Sequence, residues 1–439
     1  MSPELLGMVL LAVMIVTIMV GFPISFTLLL LALAFGYMGM GTKVFYLMVI
    51  QMFGFMKEEV LAAVPLFIFM GYMTEQAGLM LRLFGVFRLM LAPVRGSLYV
   101  GVILTATVFA MATGIVGAAV TVLGIMAAPT MMKAGYNMRL SAGAIAAGGT
   151  LGILVPPSVM LVVMGPVMNV SVVKLYAAAF GPGFLLSALY IAYCLIRSYW
   201  NPALGPALPA AERASSAGQV LREFLVGMIP LAGLILATLG SILGGLATPS
   251  EAAAVGAFGS IVLALLYRQL TWPRFKDAML KTLETSSMVL FLAVSSNIFG
   301  AVFARLGSAT LMTETLLALP FPPIVMLLIV MLLVFLLGWP FEWPVVVLVF
   351  MPILFPLVEA MKFDLIWFCT LVAVNLQTAY LSPPVAMSAY YLKSVVPSWE
   401  LKAIYAGMMQ FMVLQLLGLL ALIAFPQIAL WLPNKLFGP

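Results

Sequence analysis

Apolar runs about 20 residues long, parted by short charged turns, repeat along almost the whole chain, and each is long enough to cross a bilayer core as one helix. Such runs occur near residues 5–20, 24–41, 61–81, 140–168, 174–196, 225–244, 250–267, 286–306, 366–392 and 402–425. Inside lipid, backbone polar groups find no water, so helices or a closed barrel are the only spanning structures, and runs of this length select helices. With 439 residues, 65% hydrophobic, 8% charged and a mean hydropathy of +1.22, the chain has no room for a sizeable aqueous domain. It reads as an all-α polytopic membrane protein of about ten spans. The opening "MSPELLGMVLLAVMIVTIMV" lacks the basic start and small-residue cleavage site of a signal peptide, so it is read as the first span.

Two further apolar segments, residues 97–131 and 322–356, are too long for one span and carry no charged loop in the middle. They are expected to be re-entrant helical hairpins that enter and leave on one side. Counting crossings from an outside N-terminus then leaves only Lys43, Lys57, Lys174, Arg305, Lys362 and Lys435 outside, of 20 Lys and Arg in all. That asymmetry is the one expected of a protein whose basic loops stay inside, and it places both termini outside. The polar stretch "NPALGPALPAAERASSAGQ" is expected to be a structureless cytoplasmic linker, assigned to residues 201–223, between halves at 1–200 and 224–439.

The broken helices within these halves carry the strongest signal. "GGTLGILVPPS" and "LQTAYLSPPVAMS" place glycines, hydroxyls and a Pro-Pro pair inside the runs at 140–168 and 366–392, where lost hydrogen bonds are costly. Asn137 precedes Pro156-Pro157 by 19 residues and Asp364 precedes Pro383-Pro384 by 19; these pairs, and Pro129 with Pro356, are offset by 227. The offset is 226 for Pro23 with Pro249 and 229 for Tyr176 with Tyr405. An odd number of spans before the linker makes the second half inverted, and inverted repeats with paired broken helices are the pattern of secondary transporters. Unwound carbonyls suit a cation, and the amides of the half-helix after each Pro-Pro pair suit an anion. The candidates are therefore Gly149, Thr150, Gly152, Pro156, Pro157 and Ser158 in the first break, and Gln377, Thr378, Ser382, Pro383 and Pro384 in the second. Among them Pro157, Ser158, Gln377 and Pro384 are assigned to the substrate.

The hairpin tips are expected to face the breaks. The first carries Thr113, Gly114 and Gly117; the second carries Gly338, Pro340 and Glu342, the acid placed deepest in the membrane. Glu342 is either functional or a cap on the second arm. Glu251 in "LATPSEAAAVGAF" is read as part of a capping box with Thr248, with Pro249 at the first helical position. Ser295, Ser296 and Asn297 either bridge helices or ligate an ion, and Ser295 and Asn297 are kept as cation candidates.

Several chemistries are excluded. The absence of histidine removes imidazole-based metal, nucleophile and protease sites. Cys194 and Cys369 lie far apart within apolar runs and read as packing residues. No phosphate-binding loop occurs, and no basic run with interleaved aromatics suggests nucleic acid. An intramembrane enzyme is disfavoured, since Asp277 and Asp364 both lie at expected membrane edges.

The stretches "VPLFIFMGYMTEQAGL", "GIMAAPTMMKAGYN", "GTLGILVPPSVMLVVMG", "GGLATPSEAAAVGAF" and "LSPPVAMSAYYLK" resemble, in order along nearly the whole chain, the large membrane (M) subunit of the tripartite ATP-independent periplasmic (TRAP) transporters. The resemblance implies an elevator-type transporter importing a small organic anion such as a carboxylate, with Na+ as the coupling ion and no other cofactor. It also implies two partners, a four-helix Q-type membrane subunit and a periplasmic substrate-binding protein, with Q on a separate chain. By position it places sodium between Thr113, Gly114 and Thr150, Gly152, Pro156, and between Gly338, Glu342 and Thr378, Ser382, Pro383. The first tip departs from the family's Gly-Ser-Ser-like pattern, offering one hydroxyl, Thr113. A binding-protein-independent permease of similar inverted-repeat fold is the alternative.

Overall fold

A computed structural model describes residues 2–209, 217–383 and 385–438, and among them every regular element is helical. Seven helices are long and apolar enough to cross a membrane, with six shorter apolar helices beside them. Several of the ten expected runs fall in the shorter class because glycine or proline cuts them. The run near 61–81 bends by 60° between Glu59–Gln76 and Leu79–Leu91, at Gly78, whose φ of +70° suits glycine. The runs at 140–168 and 366–392 divide into Met138–Thr150 with Val159–Val167, and Leu365–Ala379 with Met387–Val395.

Both broken helices start the same way. Asn137 and Asp364 sit in extended backbone, and each accepts from the amide three residues on, Leu140 at 3.1 Å and Trp367 at 2.9 Å. These are N-caps 227 residues apart. The long apolar segments are helix–turn–helix units, Ser97–Thr113 with Val116–Lys133, and Pro323–Leu337 with an arm running from Trp343 to Ala360. The second arm widens to a π-helix at Val346–Phe350, just after its tip.

Some boundaries differ from the sequence reading. The helix Trp272–Arg305 begins well before residue 286, because Pro273 sits in its first turn and charged residues face outward along its start. The helix Ala217–Gly227 occupies residues that the reading gave to the linker. Lys43–Met56, at 14 residues, was missed because it is too short for a span. The capping box of Thr248 and Glu251 is present in full, with Pro249 beginning the helix.

The cavity between hairpin tips and helix breaks

The first tip lies directly on the first break. Gly114 turns the chain at φ +63°, and a Cβ built there would lie 3.3 Å from Pro157 O and 3.5 Å from Val159 N. Gly152 approaches from the other side, its built Cβ 3.5 Å from Ile115 N. From the neighbouring helix Glu59–Gln76, Gly71 comes so close to Thr113 that a Cβ would lie 2.8 Å from Thr113 O. Glycine at these positions is what allows backbone to approach backbone. At the second tip Gly338 packs on the second broken helix, its built Cβ 2.9 Å from the Ala379 side chain.

Both tips and both breaks border one central cavity of about 570 Å³. The first tip contributes Gly114, Ile115 and Gly117, the second Glu342, Trp343 and Pro344, and the breaks contribute Ile153, Val159, Tyr380 and Tyr391. A smaller cavity of about 220 Å³ adjoins the second tip and break, sharing Glu342 and Tyr380 and adding Gly338, Ala379 and Val385. Glu342 sits at the N-cap position of the second arm without making a cap hydrogen bond, so its carboxylate is exposed to these cavities.

The candidate hydroxyls spend their hydrogens on backbone carbonyls. Thr150 donates to Ala147 O at 2.8 Å, Thr378 to Asn375 O at 2.6 Å, Ser158 to Ile153 O at 2.5 Å and Ser382 to Thr378 O. All four are buried, as are Thr113, Gly152, Pro156, Pro157 and Gln377. Such local bonding satisfies a hydroxyl where no water is present. Pro383 is exposed, whereas Pro384 lies outside the described residues. Because Ser158 bonds to Ile153, the helix Val159–Val167 has no side-chain cap; Met387–Val395 has none either. The leading amides of Val159–Val167 are thus left without side-chain acceptors, while in Met387–Val395 the Ser388 and Ala389 amides donate to Tyr380 O and Ala386 O.

Ser295 and Asn297 stand apart from this constellation. Ser296 and Asn297 line a second cavity of about 370 Å³, together with Glu58, Pro166, Leu348 and Pro352. Ser295 is fully buried, and its hydroxyl has no partner among the described residues. The two cavities correspond across the repeat: Gly54 with Lys281, Glu58 with Thr285 and Leu348 with Thr121 each pair one wall with the other at an offset of 227. Along the helix Trp272–Arg305, residues 281–289 border the central cavity and 293–301 the second.

One polar wall was missed in the sequence. Tyr72 and Glu75 from Glu59–Gln76, with Lys281, Glu284 and Thr285 from Trp272–Arg305, line the central cavity. Lys281 pairs with Asp277 at 2.9 Å, Asp277 accepts from Gln76 at 2.8 Å, and the Tyr72 and Thr285 hydroxyls lie 3.1 Å apart. The signal was present as helical spacing, residues 68, 72 and 75 on one face and 281, 284, 285 and 288 on another. It was lost because the span was begun at residue 286, which left Lys281 and Glu284 in a loop.

Sequence comparison agrees with this architecture. The family model for the tripartite ATP-independent periplasmic transporter, DctM component, matches residues 11–428. The chain is 30% identical over 424 residues to the sialic acid TRAP transporter large permease protein SiaM of Vibrio cholerae, covering 95% of this chain and 96% of that one. It is 28% identical to the C4-dicarboxylate TRAP transporter large permease protein DctM of Pseudomonas aeruginosa, covering 88% and 89%. In fold it is similar to the YdaH transporter of Alcanivorax borkumensis, with a TM-score of 0.63 at 18% identity over 99% of each chain.

Proposed function

Because this chain belongs to the DctM family of tripartite ATP-independent periplasmic transporters, as a large permease subunit, we propose that it imports a small organic anion coupled to sodium. The observation that carries this reading is the central cavity, where two hairpin tips meet two helix breaks. Uncapped amides at the start of Val159–Val167 are a suitable seat for a carboxylate or sulfonate, since a helix N-terminus favours an anion. Carbonyls freed by the breaks, with the Glu342 carboxylate, are oxygen ligands of the kind sodium takes. Relatives are named for sialic acid, C4-dicarboxylates and isethionate, all small anions.

In this reading residues 1–200 and 224–439 are inverted repeats, and the tips and breaks form a body that moves between faces of the bilayer in an elevator motion. The paired cavities support it, because Gly54, Glu58 and Leu348 of one have counterparts 227 residues away in Lys281, Thr285 and Thr121 of the other. The chain then resides in a bacterial inner membrane with both termini periplasmic. It works with a four-helix membrane subunit and a periplasmic binding protein, which supplies much of the substrate selectivity.

The test is uptake in proteoliposomes holding this chain and the small membrane subunit, with radiolabelled candidate anions first identified by their thermal stabilisation of the cognate binding protein. Uptake is expected only with an inward sodium gradient and the loaded binding protein. Equal uptake of free anion without the binding protein would instead establish a partner-independent permease, and equal uptake in choline would remove sodium as the coupling ion.

A further inference from the structure

Behind the cavity, where the first halves of both broken helices end, four fully buried polar side chains from four helices meet. They are Thr150 from Met138–Thr150, Gln377 from Leu365–Ala379, Gln415 from Leu401–Ala424 and Tyr190 from Val172–Trp200. Gln415 Nε2 donates to Thr150 Oγ1 at 3.2 Å, Thr150 Oγ1 lies 3.3 Å from Gln377 Oε1, and the Tyr190 hydroxyl lies against both Gln415 and Thr150. Thr150 and Gln377 are 227 residues apart, the repeat offset itself, so the contact joins equivalent points of the two halves.

The hydrogen inventory shows how these groups connect. Thr150 has one hydroxyl hydrogen and gives it to Ala147 O, so its neighbours reach it best as donors. Turning the Gln377 amide over presents Nε2, a group without a partner among the described residues, to Thr150. Gln415 Oε1 and the Tyr190 hydroxyl beside it are likewise without a partner among the described residues. The result is one chain, Gln415 to Thr150 to Gln377, with Gln377 Oε1 as its open acceptor and the Tyr190 hydroxyl packed against Gln415 and Thr150. None of the four lines the central cavity or the smaller one beside it. Two carboxamides buried this way are costly unless bonded, and apolar side chains would fill the space at no such cost, which points to a role in geometry.

We propose that Thr150, Gln377, Gln415 and Tyr190 are positioning residues that tie the ends of the two half-helices together, so that a cation bound at one break is felt at the other. Thr150 immediately precedes the 3-10 turn Leu151–Ile153 that opens the first break, and Gln377 O accepts from Tyr380 N at 3.2 Å where the second begins to unwind. A displacement of either end therefore pulls on its counterpart. The inference rests on the sodium reading above.

The test is sodium-dependent thermal stabilisation of the purified full-length chain, titrated with sodium chloride against choline chloride at constant ionic strength. With two coupled sites the wild type is expected to titrate with a Hill coefficient approaching about 2, and Gln377→Leu and Gln415→Leu with about 1. Thr150→Ser keeps the hydroxyl and is expected to retain the wild-type coefficient, while Thr150→Val is not. Tyr190→Phe removes the hydroxyl that lies against Gln415 and Thr150 with little change of volume and is expected to lower the coefficient, so the test stands even if a leucine variant does not fold. A wild type with no sodium response would overturn the sodium reading, and the coupling with it. A sodium response with a coefficient of about 1 in the wild type, or an unchanged coefficient in all variants, would overturn the coupling alone.

Discussion

Gly407→Leu is expected to yield no stably folded transporter. The helices Met138–Thr150 and Leu401–Ala424 cross backbone to backbone, and a Cβ at Gly407 would lie 1.9 Å from Arg139 O and 3.1 Å from Gly143 N. Gly143 faces back, its built Cβ 2.7 Å from Gly407 O. Small residues at a crossing let helices in lipid gain packing energy at close range, and here carbonyls occupy the space a side chain would need. Overpacking usually costs about 1–3 kcal/mol when side chains can yield; with backbone on both sides, at least about 3 kcal/mol is expected. That is a large share of the roughly 5–15 kcal/mol that holds a typical domain folded. Size-exclusion profiles and thermal unfolding in detergent measure it. Gly85→Ala, in a helix with nothing within 4 Å of the new methyl, is the control and is expected to match or slightly exceed the wild type.

Gly114→Val is expected to leave the protein folded but to lower uptake about 100-fold, the scale on which a misplacement of about 1 Å disables a positioned site. Valine at φ +63° is strained by roughly 1–2 kcal/mol, and its Cβ presses on Pro157 O and Val159 N, pushing the tip off the half-helix start. Gly135→Val separates the two effects. Gly135 has φ +71° with nothing within 4 Å, so it carries the backbone strain without the contact. Its variant is expected to lose stability and keep uptake per folded molecule. Wild-type uptake by Gly114→Val would show that contact between tip and break is not part of transport.

These two glycines also mark how far the sequence could be read. The Pro-Pro pairs and the Thr248 capping box were legible because each is local chemistry, readable within a few residues, whereas Asn137 and Asp364 were read only as repeat markers and the structure shows them to be N-caps. The offset of 227 was legible too, but not that it would reappear as contact between Thr150 and Gln377, since a repeat does not say where its halves touch. Gly407 against Arg139 joins residues far apart in the chain, and nothing local distinguishes it from a glycine in open space such as Gly85. The hydroxyls were chosen as ligands by type, and the structure shows where their hydrogens go, to carbonyls within the same segment. Lys281 and Glu284 were passed over because charge was taken as a mark of loops, and Glu75, inside the run at 61–81, was not singled out. They instead form the polar wall of the cavity.

Labelling of single cysteines tests whether the tips and breaks serve a path reached alternately from the two faces of the membrane. Thr121 borders the central cavity and Asn297 the second, while the native Cys194 and Cys369 are buried and give little background. In sealed vesicles of known orientation, a membrane-impermeant thiol reagent is expected to modify Thr121→Cys from one face only and Asn297→Cys from the opposite face only. Modification of both from the same face would contradict the account.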